Sequence, residues 1–339
     1  MNLPSYIHYN LLNITATPRE PCSCVTLAVF LFKMDMNNNL IEYRKPLLNY
    51  QAQLEKFQDR GLLIDDWQLG LTTLLNINYY RLSAYCLPFK QRDHLGRLTE
   101  KFQQGTALSD VLAFYEFDRK LRLLVMDAME RIEISIRTNV TYHLSTKYGA
   151  FALEDHKNFH ESFGHSKWLL QIKEEVTRSR ERFIEHYKEK YRGFPSIPVW
   201  MATEVMSFGS LSLLYKGLSN YDKRTISDFY SLHPKTLANW LHFLTYVRNI
   251  CAHHGRLWNK ELAIKPKLDE LNKLWPTNFS PKNDRSFIIL SILKYLLHKA
   301  GNGKEWSYNC HQLITPILSQ YHWAHTSMDI PENWLQYSF

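Results

Sequence analysis

The chain has 339 residues, which is long enough for one large domain or two smaller ones with a substantial apolar core. It contains only 12 glycines and 13 prolines, and its apolar residues recur every three or four positions, so the predicted fold is all-α. A net charge of +8 favours an acidic partner, with nucleic acid as the first candidate, although many basic proteins bind none. The apolar run at 25–32 is too short to span a bilayer and lacks the flanks of a signal peptide, so we expect a cytoplasmic protein without membrane contact.

The N-terminal 40 residues differ from the rest of the chain. They lack periodicity, and Met34 and Met36 stand just before the first patterned segment. Residues 1–40 are therefore either an unstructured extension or the product of a start codon placed too early, and the second interpretation is favoured. We expect 41–339 to form a single helical domain whose core, at about 105–265, carries the most informative motif.

The first half of the chain predicts three helices and a connection. A helix over 42–61 should end at its terminal glycine, and Asp65 or Asp66 should cap the helix that follows. The segment 87–97 contains proline and glycine and is interpreted as a connection with room for short strands. A long helix is predicted from about 106 to 142, because its apolar residues form one continuous stripe.

A highly charged helix is predicted over 167–192, which contains eight Lys or Arg and five Asp or Glu. It is interpreted as a solvated surface, because charges of both signs are mixed along it. The alternative is an RNA-binding arm built on Arg178, Arg180 and Arg182.

Three further helices complete the prediction. One covers 199–218, and the next begins at His233-Pro234, because proline suits the first turn of a helix. The final helix is predicted over 286–299 from its dense apolar pattern.

The helix that begins at His233-Pro234 ends in the most informative segment, 248–259, which reads Arg-Asn-Ile-Cys-Ala-His-His-Gly-Arg-Leu-Trp-Asn. Arginine stays charged at physiological pH and grips phosphate through a planar fork. Histidine both takes and gives a proton near neutrality. A histidine at the 2′-hydroxyl or the leaving oxygen, with an arginine that stabilises the charge on phosphorus, suffices to cut RNA without a metal.

Helix geometry constrains how these side chains cooperate. Arg248 and His253 are five residues apart, which places them about 140° apart around an ideal helix axis. Either the helix ends or tightens between them, or each faces a cleft that is completed from elsewhere. A structural interpretation also stands, in which the two side chains form a buried polar network that caps the helix.

The spacing Arg-Asn-x-x-x-His, at Arg248, Asn249 and His253, resembles the signature of the HEPN superfamily of ribonucleases. The longer segment 248–259 is similar to abortive-infection proteins of the AbiD/AbiF type. Further blocks resemble that family in chain order, at 45–62, 77–89, 114–138, 198–215 and 328–339. The resemblance implies a HEPN-like helical bundle with additional N- and C-terminal helices.

The function implied by the resemblance is that of a metal-independent endoribonuclease in an abortive-infection system, a toxin-like defence against phage. Such an enzyme cuts RNA by attack of the 2′-hydroxyl and leaves a cyclic phosphate. In this interpretation His253 is the general acid or base, Arg248 is the phosphate clamp, and Asn249 is a positioning residue. His254 is a second proton carrier or a substrate contact, and Arg256 is a further ligand for phosphate.

Three more candidates lie on the long helix. Glu133 and Arg137 have the i,i+4 spacing of an ordinary ion pair, and Glu130 lies nearly one turn earlier. The alternative, supplied by the resemblance, places Glu133 and Arg137 in the substrate-binding site, with Glu133 orienting Arg248 or His253.

A metal site is not expected. Cys251 lies close to His253 and His254, but zinc needs more ligands and the sequence offers no second cluster. No cofactor is expected either, since the P-loop, zinc-protease and nucleophile-elbow motifs are missing from the sequence. The cysteines, an odd and scattered set, are interpreted as free thiols in a reducing compartment: Cys22, Cys24, Cys86, Cys251 and Cys310.

The expected partner is RNA. Paired HEPN domains bring two motifs together, so a chain with one motif is expected to form a homodimer, and a small RNA or a protein antitoxin is a further candidate partner. Tyr79, Tyr80 and Arg81 have side chains suited to stacking on bases, although aromatic residues more often belong to a helical core. The main alternative function is a non-catalytic HEPN module that binds RNA without cutting it, and a third interpretation treats the basic excess as incidental.

Overall fold

The fold is known from a computed structural model, in which the described residues are 42–275, 279, 281–301, 303–332 and 334. These residues form thirteen α-helices and one two-stranded sheet, which confirms the predicted all-α class. The chain divides into two compact units, residues 1–53 and 54–339. The predicted extension 1–40 lies outside the described residues, and its interpretation stays a prediction.

From residue 42 to the middle of the chain, the described residues form four helices: α1 (Tyr50–Asp59), α2 (Trp67–Asn76), α3 (Tyr79–Cys86) and α4 (Leu108–Tyr148). Asp66 is the cap of α2, because its carboxylate accepts the backbone N–H of Leu69 at 2.8 Å. The first helix begins later than the predicted residue 42. Its start is fixed by Asn49, whose side-chain oxygen accepts the backbone N–H of Ala52 at 2.8 Å.

The connection predicted at 87–97 contains a strand, as expected. Strands β1 (Lys90–Arg92) and β2 (Leu98–Phe102) pair antiparallel, with Lys90 opposite Phe102 and Arg92 opposite Leu98. The hairpin leads directly into α4, which begins six residues after β2 ends.

Nine helices belong to the second half, and they are α5 (His165–Arg178), α6 (Arg182–Lys190), α7 (Val199–Val205), α8 (Phe208–Gly217), α9 (Asn220–Phe229), α10 (Pro234–Ala252), α11 (Ser286–Lys299), α12 (Gly303–Gln320) and α13 (Ala324–Met328). The prediction that 286–299 is the final helix is wrong, since α12 and α13 follow it. The start of α10 at Pro234 is confirmed.

Two of the predicted helices are each broken in two. The charged helix 167–192 is interrupted by extended backbone at Ser179 and Glu181, and the shorter helices α5 and α6 each bury their own apolar stripe. The helix 199–218 is interrupted at Met206, where α7 ends. The hydroxyl of Ser207 then caps α8 by accepting the backbone N–H of Ser210 at 3.1 Å.

Helix α4 is the central element of the fold. Its 41 residues extend about 60 Å at 1.5 Å per residue, and it ends at Tyr148 rather than near the predicted 142. It packs against α3, α7, α10, α11 and α12. Fully buried valines at 111, 125 and 140 show that its apolar stripe faces the core along most of its length. Within the described part of the chain, no helix has the length and apolar character needed to cross a membrane.

Candidate functional site

Helix α10 carries the motif and ends in a tight reversal. The backbone N–H of His253 still reaches the carbonyl of Asn249 at 3.0 Å, as in a regular helix. Beyond it, the N–H of His254 bonds to the carbonyl of Cys251 at 3.0 Å, and that of Gly255 bonds to Ile250 at 2.8 Å. These two bonds are those of a Schellman C-cap. The α-helix therefore ends at Ala252, between Arg248 and His253, although its hydrogen-bond pattern extends to the N–H of His253.

The reversal places a histidine in backbone geometry that favours glycine. His254 has a φ of 57°, in the left-handed region that costs a residue with a Cβ about 1–2 kcal/mol. The glycine of the motif, Gly255, is favoured for a different reason, which is lack of space. A Cβ there would lie 3.0 Å from Cγ2 of Ile250 and 3.2 Å from its carbonyl oxygen. The turn is thus close-packed at Gly255 and strained at His254.

A buried carboxylate on α4 holds the segment that follows the turn. Asp118 is fully buried, and its carboxylate accepts the backbone N–H groups of Leu257 at 3.0 Å and Trp258 at 2.7 Å. The hydroxyl of Tyr85 donates to the same carboxylate at 2.7 Å, and the guanidinium of Arg122 forms an ion pair with it. Removal of either ion would leave the other charge buried without its partner, which is strongly destabilising.

Three guanidiniums fasten the turn to its surroundings. Arg81 on α3 donates to the carbonyl of His254 at 2.5 Å, and Arg122 approaches the carbonyl of Gly255 at 3.4 Å. Arg256, predicted as a phosphate ligand, is partly buried and donates to the carbonyl of Ala84. The turn is therefore held from both α3 and α4.

The two imidazoles of the motif take no part in these contacts. The side chains of His253 and His254 are exposed, and neither makes a hydrogen bond or ion pair with any residue that the structure describes. The predicted buried network between Arg248 and His253 is not formed, since neither a hydrogen bond nor an ion pair joins their described side chains. Both histidines are available to a ligand.

Arg248 lies in a separate cleft, between α10 and α4. The cleft has a volume of about 620 Å³ and is also lined by Glu133 and Arg137, so three predicted site residues come together there. Arg248 itself donates to the side-chain oxygen of Asn249 at 3.4 Å. Glu130 and Glu204 line the same cleft, which gives it an acidic wall.

Glu133 and Arg137 form the ion pair that their spacing predicted, at 2.5 Å. Arg137 is buried and also donates to the backbone carbonyls of Thr203 and, at 3.2 Å, Met206. It therefore links α4 to the end of α7, which is a structural role. Glu133 lines the same cleft as Arg248 but forms no direct bond with it.

The motif cysteine is buried. Cys251 is a free thiol, and burial raises its pKa to about 12, so it is protonated near neutral pH. Among the described residues, no group of three His, Cys, Asp or Glu side chains is arranged to hold a metal ion. Of the predicted stacking residues, Tyr79 packs on Phe57 with a ring separation of 4.8 Å, whereas Tyr80 is exposed.

Sequence reasoning missed the residues that hold the turn. Asp118 and Arg122 stand four apart among apolar neighbours on the buried stripe of α4. Charged residues on a buried helix face require partners, so this spacing was an available signal for a buried ion pair. Which backbone groups that pair holds could not be predicted, because the turn is more than 130 residues away in sequence.

The comparisons with known proteins place the chain in one family. A family model described as Abi-like protein matches residues 72–259, more than half of the chain, and the chain therefore belongs to this family. The matched region contains α3, α4, α10 and the turn held by Asp118, which are the elements of the candidate site. Comparison with curated proteins and with solved structures gave no match.

Because the backbone of His254 is strained, we expect one substitution there to raise the stability of the protein and to lower its activity. His254→Gly should raise the free energy of unfolding by about 1 kcal/mol, because glycine relieves the left-handed strain, and it should weaken any activity that needs the imidazole. Urea denaturation and RNA cleavage measure the two effects. His253→Gly is the matched control: His253 has a φ of −90°, so the same change there should lower stability. A lower stability for His254→Gly would contradict the argument.

Proposed function

We propose that this Abi-like protein is a metal-independent endoribonuclease that acts in abortive infection. Family membership supports the abortive-infection role. The observation that carries the catalytic part is the presentation of His253 and His254. Both imidazoles are exposed and bond to no described residue, on a turn that Arg81 holds and that leads into the segment held by the buried Asp118. Catalytic side chains need such a rigid support, and the strain at His254 is typical of functional positions.

The chemistry follows from these side chains. One imidazole, assigned to His253, takes the proton of the 2′-hydroxyl as its oxygen attacks phosphorus, and the bond to the 5′-oxygen breaks to leave a 2′,3′-cyclic phosphate. The second imidazole, His254, is placed to give a proton to the departing 5′-oxygen. A guanidinium stabilises the charge on the non-bridging oxygens, which is the role assigned to Arg248.

The separation of Arg248 from the histidines supports a site shared between two chains. Arg248 and His253 are five residues apart at the end of α10, which places them on different faces of the helix, and Arg248 lines the cleft beside α4. We therefore include a twofold homodimer in the proposal, in which Arg248 of one chain meets His253 of its partner. In that arrangement each chain supplies half of each site.

Mixing two inactive variants tests the shared site. His253→Ala and Arg248→Ala chains, each inactive alone, should regain RNA cleavage after they are unfolded together and refolded. The mixed dimer restores one complete site, because each chain supplies the group that the other lacks. His253→Ala mixed with the double variant should show no recovery. Light scattering that gives an active monomer at assay concentration contradicts the dimer but not the chemistry.

Cleavage of RNA by the purified protein, with and without EDTA, tests the reaction itself. We expect EDTA to leave the rate unchanged and the 5′ products of the cut to carry a cyclic phosphate, because the proposed chemistry needs only imidazole and guanidinium. Loss of all cleavage in EDTA, or products with a 3′-hydroxyl, would overturn it. A small RNA or a protein antitoxin, if it is a partner, should inhibit this reaction.

A second function is favoured by one observation. Arg248 shares its cleft with Glu130 and Glu204, two carboxylates that form no ion pair with a described residue and therefore repel phosphate. This acidic wall supports the alternative of a protein that binds RNA without cutting it, or that uses Arg248 at a protein interface. Tight RNA binding with no cleavage by the refolded dimer would select this alternative.

A further inference from the structure

A second cleft lies at the opposite end of α10 from the motif. It has a volume of about 840 Å³ and is bounded by the ends of α8, α9 and α10 and by the connection at 160–163. Its lining on α10 begins at Pro234, about 29 Å along the helix from the histidines of the motif. The two sites are therefore separate surfaces of one helix.

The lining is strongly basic. Four lysines contribute to it, Lys216, Lys223, Lys235 and Lys267, and none of the residues that line the cleft is acidic. None of the four forms an ion pair with a described carboxylate, whereas elsewhere lysines such as Lys147 are paired. Burial in the wall lowers the pKa of Lys223 below its ordinary value, because its charge lacks a compensating anion. This concentration of unpaired positive charge favours an anionic ligand.

Two histidines add hydrogen-bond donors at the rim. Nδ1 of His160 accepts the backbone N–H of Ser162 at 3.2 Å, and Nδ1 of His233 accepts that of Lys235 at 3.2 Å. An imidazole nitrogen that accepts a hydrogen bond carries no proton, so in each neutral ring the proton is on Nε2. Both rings therefore keep an Nε2–H donor for a ligand oxygen.

An aromatic ring lies among these cations. Phe163 is partly buried in the wall of the cleft, and it packs directly over Gly217 at the end of α8. A Cβ at Gly217 would lie 2.7 Å from the ring, so only glycine admits Phe163 in this position. Phe159 stacks on Phe163 with ring centroids 5.5 Å apart, and this contact fixes the orientation of the ring. A ring beside a row of cations suits a ligand that has both phosphates and bases.

We propose that this cleft binds single-stranded RNA, with the lysines on consecutive phosphates and Phe163 against a base. The ligand is a strand rather than a mononucleotide, because small ligands are mostly buried in enclosed pockets, whereas this cleft is open and Lys216, Lys235 and Lys267 are exposed along it. The site goes beyond the proposed catalytic function and does not depend on cleavage. It is an RNA-binding site at a distance from the residues proposed to be catalytic.

The test measures binding without turnover. The full chain is titrated against a fluorescent, 2′-O-methylated oligoadenylate, which lacks the 2′-hydroxyl needed for cleavage, over a range of salt concentrations. The cleft variant changes Lys216, Lys223, Lys235 and Lys267 to Gln together. We expect it to bind about tenfold or more weakly, with a log–log salt slope reduced by about 3, since each lost phosphate contact on a single strand is worth about 0.7.

A control variant with the same net charge measures the effect of losing four cations that lie outside the cleft. It changes four exposed lysines elsewhere to Gln, and these are Lys101, Lys190, Lys282 and Lys304. Its affinity and slope should stay near those of the unchanged protein. Equal weakening in both variants would overturn the proposal, because the binding would then follow net charge alone. A triple variant that keeps the half-buried Lys223 guards against loss of folding and should show most of the effect.

Two further measurements separate a strand from a small anion and test the ring. Adenosine monophosphate should compete weakly with the oligoadenylate, and competition at equal phosphate concentration would overturn the assignment to a strand. Phe163→Leu keeps the apolar contact with Gly217 but removes the ring, so it should weaken binding about tenfold without changing the salt slope. Unchanged binding would remove Phe163 from the site. Loss of cleavage in His253→Ala leaves each of these results interpretable, because none of them requires turnover.

Discussion

His253→Ala should lower RNA cleavage by about a hundred- to ten-thousand-fold, which is the usual contribution of a general acid or base. The fold should be unaffected, because the imidazole is exposed and bonds to no described residue, and its backbone φ of −90° suits alanine. Cleavage by the purified variant and its urea denaturation curve measure the two parts of the prediction. Growth inhibition on expression should disappear with the activity.

The control is a histidine of similar exposure that lies outside the motif. His298 is exposed near the end of α11, and His298→Ala should leave cleavage unchanged. A folded His253→Ala protein that still cuts RNA at the normal rate would contradict the ribonuclease proposal. Reduced cleavage together with reduced stability would instead assign His253 a structural role.

Asp118→Ala should lower the free energy of unfolding by about 3–5 kcal/mol, a large loss for a single substitution. The substitution leaves the guanidinium of Arg122 buried without its counter-charge, and it removes the acceptor of two buried backbone N–H groups, at Leu257 and Trp258. Urea denaturation measures this loss. Cleavage should also fall where the variant remains folded, because the turn that carries the imidazoles is released.

Asp127→Ala is the matched control on the same helix. Asp127 pairs with Arg131 at 3.0 Å, but both side chains are partly exposed, so its removal should cost less than about 1 kcal/mol. A similar small loss for Asp118→Ala would show that the buried carboxylate does not hold the turn. Asp118→Asn keeps one acceptor oxygen, so its loss of unfolding free energy should lie between those of Asp118→Ala and Asp127→Ala.

Local signals predicted the helices whose ends are marked by their own residues. Pro234 marks the start of α10, and Asp66 caps α2 as one of two predicted candidates. The all-α class also followed from the apolar periodicity together with the small number of glycines and prolines. The cap at Ser207 was an equally local signal, since serine is one of the preferred residues at the start of a helix. The prediction of one helix over 199–218 overlooked it.

Other features depend on contacts that sequence spacing does not reveal. No glycine or proline marks the break at Ser179, on either side of which α5 and α6 each bury their own apolar stripe. In the candidate site, the motif residues could be predicted as a set. That Arg248 and the histidines lie in two separate places could be predicted only in part. Helix geometry separates Arg248 from His253, but the acidic cleft around Arg248 is formed by α4 and Glu204, which are distant in sequence.

The bonds that hold the motif turn also determine when during synthesis the site is complete. Arg81 and Asp118 precede their partners in the turn by 173 and 139 residues, so most of the protein is synthesised before either contact forms. A nascent chain builds α3 and α4 first and waits for the segment that ends at Trp258. No truncated product that stops before this segment can present the two histidines on a fixed turn. For a protein proposed to be toxic, we therefore expect a product released before Trp258 to be inactive.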